Sequence, residues 1–169
     1  NDTIHHPYEV TKSHTVSLDT FQSLEFGPIG VVDDQEIVYY REFKKRFLLP
    51  KLEKLNMNVG IYKTYTGDDG SILKHFSTMD GIIIEGFGRG NVPENIVTSI
   101  QELLDQGVKI MITSRVPKGR PFATYPYQGG AKQLVDMGCF LSPHLNSQKA
   151  RILLIFALST HTPIKNLTL

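Results

Sequence analysis

Hydrophobic and polar residues alternate in short segments over the first forty positions of the chain. The alternation predicts β-strands at residues 3–4, 9–14, 29–32 and 36–40. The pair Asp33-Asp34 predicts the turn of a hairpin between the last two strands, and residues 18–21 suit one helical turn. This β-rich stretch is too poor in periodic apolar residues to form a domain alone. We therefore expect its strand edges to need further partners.

From about residue 56 the pattern becomes regular α/β. Strands are predicted at 59–64, 81–85 and 109–113, and helices at 70–78, 93–106, 129–137 and from a cap at Asn146 to residue 158. Pro93 suits a first helical turn, and Gly107 and Gly138 follow predicted helix ends. Strands that alternate with helices predict a parallel sheet with right-handed crossovers. The basic segment 43–55, which contains Pro50, is predicted to be a connector.

Composition narrows the classes of partner and says little about compartment. Eighteen basic and seventeen acidic residues give a formal charge of +1, which argues against nucleic acid or an anionic membrane as the main partner. The single cysteine, Cys139, excludes an internal disulfide and is interpreted as a core residue. No apolar run approaches the roughly 20 residues of a membrane span. The chain opens with Asn1 and has no charged leader, so we expect a piece of a longer protein whose compartment, cytoplasmic or exported, is not indicated.

A glycine-rich turn follows the second predicted strand of the α/β region. It reads G-F-G-R-G-N, and Asn91 stands where G-x-G-x-x-G has its third glycine, so the pattern only weakly supports a dinucleotide site. Ligands of parallel sheets gather at the carboxyl ends of the strands. Two loops, 86–92 and 114–130, leave those ends and are predicted to bring Asn91 and Gln128 to one crevice. For both residues a purely structural role, as a helix cap or a turn residue, is the competing interpretation.

The remaining polar candidates do not define a reaction. His5, His6 and His14 lack carboxylate support for a metal site. Ser114 has no histidine near it in sequence to form a nucleophile pair. Glu85 and the pair Asp68-Asp69 do not form the paired acids of general acid–base chemistry. We predict no metal and no cofactor.

Several motifs together resemble the C-terminal half of a bacterial type II L-asparaginase. They are NDTIHHPYEVTKSHTVSLDTFQS, GPIG, GIIIEGFGRGNVP, TSRVPKGRP, YPYQGGAKQLVDMG and LNSQKARILLIFAL, in this order from residue 1 to about 158. The resemblance implies that 1–30 is the tail of an N-terminal domain, 31–56 the interdomain linker, and 57–169 a small C-terminal α/β domain with a three-layer parallel sheet.

What the resemblance implies about activity is hydrolysis of L-asparagine to L-aspartate and ammonia, with L-glutamine as a second possible substrate. The threonine nucleophile of such enzymes and its partners lie in motifs such as T-G-G-T-I and G-T-D-T, and neither motif occurs here. We therefore expect no catalytic residue in this chain, no activity from the chain alone, and assembly of the whole enzyme as a homotetramer, a dimer of dimers.

The resemblance also assigns roles to two residues. Asn91 matches the asparagine that reaches into the active site of a neighbouring subunit, where a carboxamide can donate and accept at once. Gln128 stands at the position of a glutamate that holds the α-ammonium group of the substrate. Glutamine keeps a hydrogen bond but loses the negative charge, which affects affinity and the preference between asparagine and glutamine.

Two other functions stay open at this point. One is a noncatalytic binding or assembly module on the same scaffold, which the glutamine at position 128 favours. The other is a nucleotide-binding α/β domain, which rests on the glycine turn alone and lacks the third glycine. The presence of T-G-G-T-I upstream in the same reading frame would favour the amidohydrolase over both.

Overall fold

The computed structural model describes residues 1–42, 50–52 and 54–166, which fall into two compact units, Asn1–Leu49 and Pro50–Leu169. Most of the predicted connector, 43–55, lies outside the described residues. The division into tail, linker and C-terminal domain stays a prediction. No helix in the described part of the chain has the length and apolar character needed to cross a membrane.

The first unit contains a three-stranded antiparallel sheet and a separate two-stranded ribbon. The sheet has the order β1 (Thr3–Ile4), β4 (Gly30–Asp33), β5 (Glu36–Tyr39), and the ribbon pairs β2 (Thr11–Lys12) with β3 (Phe21–Gln22). The hairpin turn lies one residue later than predicted, because Asp33 pairs with Glu36 and the positive φ angles fall on Asp34 and Gln35. Positive φ at both central residues suits the tight turns that join twisted strands.

Two predictions for the first unit were wrong in detail. The strand predicted at 9–14 is limited to Thr11–Lys12, and the helical turn predicted at 18–21 is a turn that leads into β3. The cause is the buried residue Thr20. Its carbonyl accepts hydrogen bonds from the backbone N–H and the hydroxyl of Ser13, and its hydroxyl accepts one from the His14 N–H at 2.9 Å. These contacts across the ribbon pair Thr20 with Ser13 and His14 instead of with residues of its own helical turn.

The second unit is built on a parallel sheet, as predicted, but the sheet has four strands where three were predicted. Its order is β6 (Val59–Lys63), β7 (Gly81–Gly86), β8 (Lys109–Ser114), β9 (Phe140–Leu141). The central strands are continuous apolar runs whose side chains, including Ile82, Ile83 and Ile112, are fully buried, as expected for a sheet covered on both faces. The short strand β9 was not predicted, because two residues are too few to give a periodic signal.

Helices cover both faces of this sheet. The helices are α1 (Val97–Asp105), α2 (Ala131–Met137) and α3 (Ser147–Ser159). Ile82, Ile84 and Ile110 alternate onto the face that packs with α1 and α2, whereas α3 packs against β6, β7 and β8. The fold is therefore the three-layer α/β class that was predicted, with the core on either side of β7 and β8.

Three of the predicted helix boundaries are confirmed at the residues that the sequence singled out, the ends of α1 and α2 and the start of α3. Gly107 and Gly138 take positive φ just past α1 and α2, and the Asn146 side chain accepts a hydrogen bond from the Lys149 N–H at 3.0 Å, which caps α3. The helix predicted at 93–106 begins as the 3-10 segment Glu94–Ile96 before α1.

The helix predicted at 70–78 is only the 3-10 turn Leu73–Phe76. Gly70 takes a φ of +75°, which is not a helical conformation, so the helix cannot include its predicted first residue. At the other end, the chain must reach β7 at Gly81. A 3-10 turn places residues three apart on one side. This spacing buries Leu73 completely and sets the Phe76 ring edge-on to Tyr62 at 6.0 Å.

Candidate functional site

The glycine-rich turn at the carboxyl end of β7 is a tight hydrogen-bonded loop. Phe87 and Asn91 close it through a pair of backbone hydrogen bonds, 2.8 Å from the Phe87 N–H and 3.0 Å from the Asn91 N–H. Gly88 and Gly90 take positive φ angles of 43° and 94°. A Cβ on Gly90 would lie 3.0 Å from Ile112 and 3.1 Å from Pro121, so the turn is pressed against β8 and the following loop.

The glycine-rich turn places Asn91 next to the first residue of α2. The Asn91 Oδ1 accepts a hydrogen bond of 3.1 Å from the backbone N–H of Ala131, the first residue of that helix. This satisfies one of the orphan N–H groups of a helix N-terminus. Because the N–H donor must meet an oxygen, it also fixes which way the carboxamide points. The Nδ2 group has no hydrogen-bond partner among the described residues.

The loop that carries Gln128 is hydrogen-bonded to Val92, the residue after Asn91, and to Gln133 in α2. The Val92 N–H donates to the Gly129 carbonyl at 2.8 Å, and the Gly129 N–H donates to the Gln133 Oε1 at 2.7 Å. Gly129 takes a φ of +81°, and a Cβ there would lie only 2.3 Å from the Val92 carbonyl oxygen. Gln128 itself is exposed. The two loops predicted to converge therefore meet through backbone and side-chain contacts at adjoining residues.

Arginines and aromatic rings surround these two loops. The Arg115 guanidinium lies over the Phe87 ring at 4.4 Å, and those of Arg89 and Arg120 both lie over Phe122, at 5.5 and 5.2 Å. Arg89 also donates to the Thr124 hydroxyl at 3.1 Å. Cation–π contacts of this kind hold guanidinium groups in place while they stay exposed to solvent. These arginines were not among the predicted site residues, because nothing in the sequence spacing brings residue 89 to residue 122.

A cleft of about 200 Å³ lies at the carboxyl ends of β6, β7 and β8. In it the nearly buried Glu85 carboxylate accepts a hydrogen bond of 2.5 Å from the Ser147 hydroxyl and pairs with the Lys63 ammonium at 3.0 Å. The Ser114 hydroxyl donates to the Gly88 carbonyl at 2.5 Å. Ser114 thus braces the glycine turn, and Glu85 ties α3 to the sheet, so both have structural partners.

The Asp68 carboxylate is fully enclosed by donors. It accepts from the Tyr62 hydroxyl at 2.5 Å, the Thr64 hydroxyl at 2.8 Å and the Gly70 N–H at 3.1 Å. Burial, together with this bond to Asp68, raises the pKa of the Tyr62 hydroxyl well above its usual value. The neighbouring Asp69 accepts from the Ser71 N–H instead. The two acids therefore act as turn-forming residues rather than as an acid–base pair.

The three histidines considered for a metal site are engaged in local hydrogen bonds. His5 bonds the hydroxyls of Ser23 and Thr3, and His14 accepts from the Val16 and Ser17 N–H groups. Cys139 is buried and free, and burial raises the pKa of its thiol to about 12. A thiol of that kind is a packing residue and a poor nucleophile.

The amino-acid sequence that forms this sheet and its loops matches two known domain families. Residues 58–168 match the glutaminase/asparaginase C-terminal domain, and residues 1–45 match the N-terminal domain of asparaginase. The first match covers well over half of the chain. The chain belongs to the asparaginase/glutaminase family, as the motifs predicted.

Individual relatives agree with this assignment. The chain is 32% identical to an L-asparaginase of Bacillus licheniformis over 95% of its length and 50% of that protein. It is 32% identical to L-asparaginase 2 of Escherichia coli over 94% of its length and 46% of that protein. It is also 33% identical, over 80% of its length, to 33% of a glutamyl-tRNA(Gln) amidotransferase subunit of Pyrobaculum aerophilum. The chain therefore spans about half the length of the L-asparaginases it matches.

Proposed function

We propose that this chain is the C-terminal portion of an L-asparaginase that hydrolyses L-asparagine to L-aspartate and ammonia. The two family matches, N-terminal over 1–45 and C-terminal over 58–168, occur in the order of a complete enzyme. In this proposal residues 1–30 end the N-terminal domain, 31–56 link the domains, and 57–169 form the C-terminal domain. The relatives named as L-asparaginases support asparagine as the substrate.

The observation that carries the proposal is the hydrogen bonding of the Asn91 carboxamide. Its oxygen is held by the Ala131 N–H, while its Nδ2 group has no partner among the described residues. A donor fixed in this way at the carboxyl edge of a parallel sheet suits recognition of an acceptor on a ligand. We propose that Asn91 donates into the substrate-binding network of a neighbouring subunit in a homo-oligomer.

Gln128 is proposed as the second contribution of this chain. It is exposed beside Gly129, whose backbone is fixed by Val92 and Gln133. A hydrogen bond between a neutral amide and a charged group is worth roughly 1.5–3 kcal/mol, but Gln128 adds no attraction between opposite charges. Gln128 is therefore expected to hold the α-ammonium group of the substrate less tightly than a glutamate would.

The chemistry itself is assigned to residues outside this chain. Hydrolysis breaks the C–N bond of the carboxamide, forms a C–O bond to the oxygen of water, and releases ammonia. It needs an activated nucleophile, and in the described part of the chain neither Ser114 nor Cys139 has the partners for that role. The chain alone is expected to be inactive, and the whole enzyme to be a dimer of dimers.

Ammonia release by the protein encoded by the whole reading frame tests the proposal. L-asparagine and L-glutamine would be compared as substrates, with Gln128→Glu as the variant and Lys109→Gln as a control at the opposite end of β8. Hydrolysis of asparagine that changes in Gln128→Glu but not in the control supports the assignment. Absence of hydrolysis in every form would overturn it in favour of a noncatalytic module.

A further inference from the structure

Gln128 occupies the second position of a tight four-residue turn. The turn runs from Tyr127 to Gly130 and is closed by a hydrogen bond of 2.8 Å from the Gly130 N–H to the Tyr127 carbonyl. Gly129, the third residue, has a φ of +81°, whereas the φ of Gln128 is not positive. This combination is that of a type II turn. The peptide group that joins Gln128 to Gly129 therefore lies at the centre of the turn.

This central peptide group is held by a side chain of α2. The Gly129 N–H donates to the Gln133 Oε1 at 2.7 Å. Turns of type I and type II differ mainly in the direction in which the central peptide group faces, so an acceptor on one side of it selects one type. The Gly129 N–H and the Cα of Gln128 belong to the same planar peptide group. Gln133 therefore fixes the backbone orientation of Gln128.

The first turn of α2 holds both residues that are proposed to reach the substrate. The Asn91 Oδ1 accepts a hydrogen bond of 3.1 Å from the N–H of Ala131, the first residue of the helix. Gln133, two residues further along the same turn, holds Gln128 through Gly129. The support of Asn91 is a backbone group, which remains when a side chain is changed. The central peptide group at Gln128 is held instead by one side chain, which a substitution can remove.

We propose that Gln133 is the positioning residue for Gln128, and that it thereby sets how tightly the α-ammonium group of L-asparagine is held. This role rests on the proposed L-asparaginase function and adds a residue to the same site. Gln133 acts through the Gly129 N–H and does not itself contact the substrate. The α-ammonium group does not react, so holding it contributes equally to the binding of substrate and transition state. A loss of this contribution raises KM and leaves kcat unchanged.

The competing role for Gln133 is a purely structural one. A glutamine at the third helical position that reaches back to a backbone N–H also stabilises the start of a helix, and that role alone would affect stability and not KM. Gln101 provides a matched control, because it is a half-buried glutamine like Gln133. It lies in α1 and donates a hydrogen bond of 2.8 Å to the Asp105 carboxylate. Replacing either glutamine by methionine removes one hydrogen bond and keeps the length of the side chain.

The test is the measurement of kcat and KM for L-asparagine with the protein encoded by the whole reading frame. Gln133→Met should raise KM about fivefold, the factor that corresponds to one hydrogen bond of about 1 kcal/mol, and leave kcat unchanged. Gln133→Glu keeps an acceptor oxygen for the Gly129 N–H, so its KM should be no higher than that of the wild type. Gln101→Met should leave both constants unchanged.

A double-mutant cycle shows whether Gln133 acts through Gln128. Gln128→Ala removes the side chain that Gln133 is proposed to position, so adding Gln133→Met to it should raise KM little further. Effects on KM that multiply in the double variant would mean that Gln133 acts independently of Gln128 and would contradict the proposal. If Gln133→Met does not fold, Gln133→Asn replaces it, because its amide is one methylene too short to reach the Gly129 N–H in the same way.

Two further results would overturn the role of Gln133 and leave the proposed function standing, provided that the wild type hydrolyses asparagine. One is a KM in Gln133→Met that changes no more than the KM in Gln101→Met. The other is a KM in Gln133→Glu that is as high as the KM in Gln133→Met. If the wild type releases no ammonia from asparagine, the proposed function itself fails. Failure of the positioning role and failure of the proposed function are therefore distinguishable in one assay.

Discussion

The Asn91 carboxamide oxygen accepts a hydrogen bond of 3.1 Å from the backbone N–H of Ala131, forty positions later in the chain. This bond joins the glycine turn after β7 to the first residue of α2. The sequence alone is compatible with two roles for Asn91, a structural cap and a ligand contact. The structure gives its oxygen the capping role and leaves the nitrogen as the group that a ligand could use.

Two substitutions at Asn91 separate these roles. Asn91→Asp keeps the acceptor and places a negative charge near a helix N-terminus, so the free energy of unfolding should change by less than about 0.5 kcal/mol. Asn91→Ala loses the acceptor and should cost about 1 kcal/mol. Both lose the Nδ2 donor, so both should lower kcat/KM about tenfold in the whole enzyme. Urea denaturation and ammonia release measure the two effects. Full activity in Asn91→Asp would limit the residue to its structural role.

The contact of Gly129 with Val92 predicts a large loss of stability on adding a single methyl group. Gly129→Ala places a Cβ 2.3 Å from the Val92 carbonyl oxygen at a φ of +81°, and should lower the free energy of unfolding by roughly 2–4 kcal/mol. Gly107→Ala is the matched control, since its φ is +88° with nothing within 4 Å, and should cost only about 1 kcal/mol. Denaturant unfolding compares them. Equal losses of unfolding free energy in the two variants would mean that the loop around Gly129 shifts away from the Val92 carbonyl at little cost.

The hydrogen bond between Ser147 and Glu85 is predicted to matter more than the ion pair beside it. Ser147 is fully buried and Glu85 nearly so. Ser147→Ala removes a donor from a charged group with little access to water, and should cost about 1.5–3 kcal/mol. The Lys63 side chain is 61% exposed, so Lys63→Met should cost at most about 1 kcal/mol. Thermal or urea unfolding of both variants tests this order, and a larger loss in Lys63→Met would contradict it.

Cys139 predicts a decline of stability at alkaline pH. Burial raises the pKa of its thiol from 9.0 to about 12, so the thiol stays protonated in the folded chain but ionises in the unfolded chain above pH 9. The stability contribution is complete below pH 9 and is lost as the pH rises towards 12, by at most about 1.4 kcal/mol per pH unit. Urea unfolding across this range measures it.

Cys139→Ala is the control for this pH effect. The raised pKa values of Tyr8 and Tyr62 affect stability only above about pH 10, their usual value, so the interval from 9 to 10 isolates the thiol. The variant should show a flatter curve there than the wild type. Parallel curves would show that Cys139 is not the source of the decline.

The fold of the second unit could largely be predicted from the sequence. The central strands are continuous apolar runs, and Asn146, Gly107 and Gly138 mark helix boundaries, so their local signals agree with the structure. The errors lie where long-range contacts override local pattern. Thr20 is hydrogen-bonded to Ser13 and His14 across the ribbon, and the predicted helix at 70–78 is shortened by Gly70 and by the need to reach β7.

Some features of the candidate site could likewise be predicted from the sequence, and others could not. The sequence by itself determined the family, the glycine turn and the two residues, Asn91 and Gln128, that strand ends and motifs single out. Only the tertiary structure decided that Asn91 bonds Ala131, that Arg89 and Arg120 share the Phe122 ring, and that Glu85 binds Ser147. Local backbone preference acts over a few residues and can be read from their order. Contacts between residues far apart in sequence depend instead on how the sheet brings its loops together, and no local pattern contains that information.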